Sequence, residues 1–135
     1  MTGMESTHLS IHIDRAADEV YAYAADPVNL PAWAAGLGGS IELIKGRWIA
    51  TSSPMGRVEV AFAPRNTFGV LDHEVTLPSG ETVLNPMRVI PDEEDTCEVV
   101  FTLRRQPGTT PEDFRRDAGM VEADLATLKG IVERG

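Results

Sequence analysis

Among the side chains of this chain that titrate closest to neutral pH, three histidines and one cysteine, His73 is the one whose setting could turn it to chemistry. An imidazole changes charge at about pH 6.5 and serves as general acid, general base or hydrogen-bond partner as its surroundings dictate. The adjacent Asp72 and Glu74 do not make it a dyad, because successive side chains of a strand point to opposite faces. A partner must come from another strand, and Asn85 is the candidate. Two roles follow: the pair orients one polar group of a bound molecule, or His73 acts as general acid or base on a carbonyl-rich substrate.

The other reactive residues read more plainly. His8 and His12 lie four apart and share a strand face, but no third ligand is near, so they read as a solvated outer face rather than a metal pair. Cys97 has no cationic neighbour to lower its pKa and reads as a small core residue. Asp117 and Asp124, at the edge of a helical stripe, read as a solvated flank rather than a pocket rim. A serine elbow, a glycine-rich phosphate loop and an HExxH motif are all absent from the sequence, so neither cofactor nor metal is expected.

The elements that must position these residues are led by residues 110–135. Phe114, Ala118, Val121, Leu125, Leu128 and Val132 recur at helical spacing on one narrow stripe, the mark of a core-facing helix. Thr110 suits the cap, Pro111 the first helical position, and Glu112 and Asp113 the positive end of the helix dipole. Gly119, on the outer face, costs roughly 1 kcal/mol relative to Ala. Upstream, residues 9–13 alternate as a half-buried strand, and 16–25 are helical. Asp26-Pro27 then stops one helix and starts a short proline-broken one carrying Leu30 and Trp33. Trp33 fits core packing or the mouth of a cavity. Beyond Gly39, segments 41–45, 47–52, 56–63, 68–77, 82–90 and 97–105 carry strand signals separated by turn residues. The expected architecture is α+β: a curved seven-stranded antiparallel sheet wrapped around a long C-terminal helix, with two short helices after the first strand, in one domain over residues 1–135.

Turn lengths set which residues face one another. With Ala50 opposite Val58, Val58 opposite His73, His73 opposite Asn85 and Asn85 opposite Phe101, one face of the sheet becomes consistently apolar, Leu43, Trp48, Leu71 and Met87 included. Charged residues gather on the other face, with Arg57 across from Glu74. His73 and Asn85 are then the polar exceptions on the concave side, near the small Ala50 and facing Ala118. Either they satisfy each other as a buried pair, or they mark the wall of a cavity. The walls of such a cavity would be Trp33, Trp48, Leu71, Met87, Phe101, Ala118, Val121 and Leu125.

Twelve Lys and Arg against twenty-one Asp and Glu give a net charge of −9, which repels nucleic acid and anionic membrane surfaces. No stretch is long and apolar enough for membrane insertion, and the first ten residues lack the layout of a targeting signal. With one cysteine and hence no internal disulfide, the chain reads as cytoplasmic. The strong acidity also fits an interaction module with a basic partner, and a homodimer is left open.

The order strand, two short helices, six strands, long helix is accompanied by IDRAADEVYAYAADPVNLPAW near the start and EADLATLKGIVE near the end. Together they resemble the START-like, Bet v I-type helix-grip superfamily, including bacterial polyketide cyclase/dehydrase-like (SRPBCC) proteins. The Asp26-Pro27 turn and Pro31-Ala32-Trp33 carry the early part of the likeness, while Ala16 stands where a proline is common. The stretch FGVLDHEVT at 68–76 looks like a bacterial subgroup. What the resemblance implies is a deep apolar cavity between sheet and helix for lipids, polyketides, hormones or quinones. It carries no catalytic motif over to a numbered position, so whether the protein is an enzyme stays open.

Overall fold

The computed structural model describes residues 5–135, the side chain of Ser52 apart; residues 1–4, part of the stretch read for a targeting signal, lie outside them. The chain runs β1 (Ser6–Ile13), α1 (Ala17–Ala24), α2 (Leu30–Trp33), β2 (Glu42–Ile44), β3 (Arg47–Ser53), β4 (Gly56–Phe62), β5 (His73–Thr76), β6 (Thr82–Asn85), β7 (Met87–Glu93), β8 (Thr96–Arg104) and α3 (Pro111–Arg134). Single 3-10 turns, Pro27–Asn29 and Ala35–Leu37, flank α2. The start of α3 is built as its residues dictate: the Asp113 N–H donates to Thr110 Oγ1 at 3.1 Å, Pro111 follows the cap, and two acidic residues occupy the first turn. Lys45 and Gly46, both at positive φ, make the tight β2–β3 turn.

One expectation needs correction. The single seven-stranded sheet is two sheets, a three-stranded one in the order β1-β8-β7 and a five-stranded one in the order β2-β3-β4-β5-β6. The cause is Pro86, which cuts the expected strand 82–90 into β6 and β7, since proline has no N–H for a ladder. Its carbonyl still serves, accepting from Thr102 N–H at 2.9 Å. The segment before β5 then ties the sheets together. Leu71 N–H donates to the Met87 carbonyl (2.8 Å), and Val89 N–H to the Gly69 carbonyl (2.9 Å). Asp72 accepts from Met87 N–H at 2.9 Å and from the Arg88 guanidinium at 3.1 and 3.0 Å. Hydrogen bonding to Arg88 holds the Asp72 carboxyl below its ordinary pKa.

Two of the four expected registers are observed, Ala50 with Val58 and His73 with Asn85. His73 pairs with Phe62 rather than Val58, and Phe101 with Met87 rather than Asn85. Glu74 faces Ala61, not Arg57. Both slips are even-numbered, so no strand is inverted: Val58, Val60, Leu71, His73, Met87, Val89, Cys97, Val99 and Phe101 are all buried. Leu43 departs from the expected face, being 57% exposed on the short edge strand β2. Against this interior α3 lays Phe114, Leu125 and Leu128, all buried, with Val121 and Val132 half-buried beside them.

Gly69 is required by this seam. At φ +73° its backbone lies where a Cβ would come within 2.2 Å of the Val89 carbonyl oxygen. Gly69→Ala is therefore expected to lose about 1–3 kcal/mol through backbone conformation alone, with the collision adding to it. Gly119→Ala, where a Cβ meets nothing within 4 Å, is expected to gain roughly 0.8–1 kcal/mol. Urea unfolding of both variants measures the contrast.

Candidate functional site

The seam between the sheets also borders one of the concavities of the molecule. A chamber of about 130 Å³ is walled by β4 and β5 (Val60, His73, Val75), β6 (Asn85), β8 (Phe101), the α2 region (Leu30, Trp33, Leu37) and α3 (Val121, Asp124, Leu125). A second space of about 250 Å³ adjoins it, sharing Val75 and Asn85 and reaching Leu103, Phe114 and Asp117 towards the start of α3. Of the candidate residues from sequence, the inner chamber brings together Trp33, His73, Asn85, Phe101, Val121 and Leu125.

Four candidates stand elsewhere. Leu71 and Met87 are fully buried in the core and line neither space. Trp48 lines a separate concavity of about 280 Å³ with Pro27 and Phe62. Ala118 is half-buried and lines neither space. The inner wall provided by α3 thus begins one turn later, at Val121. Conversely, Asp124, read from sequence as a solvated flank, lines the chamber, and its carboxylate accepts from the Ala35 N–H at 3.2 Å. Burial pushes its pKa up. Its place at the stripe edge is the one signal the sequence offers; the turns around α2 that fold over it have no strong periodicity.

The polar groups of the chamber are specifically arranged. His73 is buried, and its ring lies between Phe62 and Phe101, with centroids 5.1 and 5.9 Å away. Its Nδ1 sits 2.9 Å from the Leu71 carbonyl oxygen. A carbonyl only accepts, so Nδ1 carries the proton and Nε2 keeps its lone pair in the neutral ring. The hydrogen bond goes to Leu71, so His73 and Asn85 are neighbours across the ladder but not the mutually satisfied pair that the sequence also allows. Burial lowers the His73 pKa, which keeps the ring neutral at physiological pH. Trp33 is 4% exposed, and among the described residues its Nε1–H has no hydrogen-bond partner. Such a buried donor is uncommon enough to demand a reason.

Elsewhere, His8 bonds Thr102 Oγ1 at 2.9 Å, and His12 meets Asp14 and Asp92 at 2.9 and 3.3 Å. Among the described residues no three His, Cys, Asp or Glu side chains are grouped to hold a metal ion. Burial drives the Cys97 thiol up to about 11, so it is no nucleophile at neutral pH. No helix among the described residues is long and apolar enough to cross a membrane.

No family model matches the sequence, and no curated protein sequence matches it. Solved structures do match over nearly its whole length. The protein XoxI from Bacillus cereus aligns with TM-score 0.75 and 16% identity over 96% of both chains. A START superfamily protein from Mycobacterium smegmatis aligns with TM-score 0.69 and 14% identity, covering 98% of this chain and 99% of the other. The Zhui aromatase/cyclase from Streptomyces sp. R1128 aligns with TM-score 0.67 and 17% identity, over 98% and 95%. At these identities the likeness is one of fold, and the chain has the START-like, Bet v I-type helix-grip fold.

Because the folded state keeps His73 neutral, the unfolded chain binds the extra proton below the ordinary imidazole pKa. His73 therefore contributes stability that is present above that pH and is lost as pH falls beneath it. His12 has the opposite sign: its bond to Asp14 raises its pKa, so its contribution fades as pH rises through the raised value. His73→Phe is expected to flatten the acid limb of stability against pH relative to wild type, and denaturant titrations between about pH 5 and 7.5 measure it.

Proposed function

We propose that this protein binds one small, mainly apolar molecule in the paired spaces between its sheets and α3. The observation that carries this reading is the chamber itself. Apolar residues from both sheets, α2 and α3 line it together with His73, Asn85 and Asp124, the usual make-up of a small-molecule pocket. Trp33, Phe101, Val121 and Leu125 would grip the apolar body, while His73 and Asn85 would orient a polar end. The second space leaves room for a longer or polycyclic body, as in polyketide-, lipid- or quinone-like compounds. Similar folds among solved structures include a START superfamily protein and an aromatase/cyclase.

Saturable binding of a hydrophobic fluorescent probe at one site per chain is the expected result. Val121→Phe, which puts a ring into the chamber, should abolish that binding while lowering stability by about 1–3 kcal/mol. A folded wild type that binds no probe would overturn the reading.

A second reading is an enzyme of cyclase or dehydratase type with His73 as general base or acid. It is favoured by the tautomer, since the tether to Leu71 leaves Nε2 as a lone pair for proton abstraction. On a carbonyl-bearing compound that the protein binds, His73→Phe should lose far more turnover than binding. Turnover unchanged in that variant would remove His73 from the chemistry.

A further inference from the structure

The inner chamber and the second space have Val75 and Asn85 in common, and on either side of that pair the walls change in step. Along β5, His73 lines the inner chamber and Leu77, just past the strand, lines the outer space, with Val75 midway between them. β8 repeats the pattern, giving Phe101 to the inner chamber and Leu103 to the outer space. A spacing of two keeps such residues on one face of a strand, and from His73 to Leu77 a strand advances about 13 Å. α3 follows a similar course: Leu125 and Val121 line the inner chamber, Phe114 and Asp117 the outer space. From Leu125 to Phe114 a helix rises about 16 Å.

Burial follows the same line. Val75, Val83, Asn85, Leu103 and Val121 are each only half-buried, although the strand residues among them share the concave face with a buried core. All five line one or both spaces, so the surface left uncovered is drawn out along β5 rather than gathered in one spot. Its outer end is bordered by residues outside the strands, among them Gln106, Thr109 and Met55, the last 49% exposed. Its inner end is closed by the buried Leu30, Trp33 and Leu37.

We infer that the two spaces are successive compartments of one channel along β5, entered from the Met55 end, and that Val75 at their junction determines how far an elongated, unbranched apolar guest reaches. This inference rests on the ligand-binding reading above, and names the shape of the ligand and the residue that limits its length. An apolar cavity of about 150 Å³ holds benzene, with its six carbons. On that scale the outer space, about 250 Å³, takes about ten carbons and the inner chamber, about 130 Å³, about five more.

The test is competition of decan-1-ol and dodecan-1-ol with the fluorescent probe on the full chain. Each further buried CH₂ strengthens binding roughly fourfold, so dodecan-1-ol should bind wild type about tenfold more tightly than decan-1-ol. Val75→Phe fills the junction, and there the two alcohols should bind within about twofold of each other, since added carbons no longer become buried. Should that variant not fold, methyl-labelled wild type reads the same geometry: dodecan-1-ol should shift the methyl signals of both Leu103, which lines only the outer space, and Val121, which lines only the inner chamber. Equal affinity of the two alcohols for wild type, or a shift at only one of those residues, overturns the single channel and leaves the cavity reading intact. Uptake of the probe that neither alcohol displaces does the same. A preference for dodecan-1-ol undiminished in Val75→Phe overturns the assignment of Val75. Binding of neither alcohol, together with no uptake of the probe, overturns both readings.

Discussion

Pro86 turns one strand into two, and most of what is distinctive here follows from that break. A proline in the middle of a long ladder leaves a donor position blank, so β6 stays with β5 while β7 pairs with β8. Two sheets then stand where one curved sheet would have run on. The gap is held by backbone bonds from Gly69 and Leu71 to β7 and by Asp72 gripping Arg88 and the Met87 N–H. Gly69 belongs to this arrangement because the close approach to Val89 leaves no space for a side chain.

The chamber is a consequence of the same seam. Its walls come from both sheets, with His73 and Asn85 on one side and Phe101 on the other, closed by α2 and by the middle of α3. The Leu71 carbonyl that fixes the His73 tautomer belongs to the bridging segment. Sheet junction, histidine tautomer and cavity wall are therefore one linked construction. A change that loosens the 69–72 segment should alter the chemistry of His73 without touching its ring.

Much of this is legible in the sequence, for identifiable reasons. Helical spacing exposes α3 and its buried Phe114, Leu125 and Leu128, and strand alternation sorts the inner from the outer faces. Two registers slip by an even number of residues, which moves partners along a strand but leaves the faces alone. For that reason alternation places His73 on the concave side even though its partner on β4 is Phe62. Asp124 and Ala118 exchange roles because periodicity gives the face of a helix but not how far along it the neighbouring segment packs. Trp48 falls on the expected face yet lines a different concavity, since the curvature of the sheet is invisible to alternation.

The sequence by itself determined the α+β class, the helix-grip order of elements, the capped C-terminal helix and the burial of a histidine among apolar residues. These are local properties of period, turn and cap. The tertiary structure alone decided that the sheet divides at Pro86, that His73 bonds Leu71 rather than Asn85, and that Trp33 and Asp124 line the same chamber. Each of these depends on contacts between segments far apart in the chain, where the packing of side chains, not their spacing, chooses which groups meet.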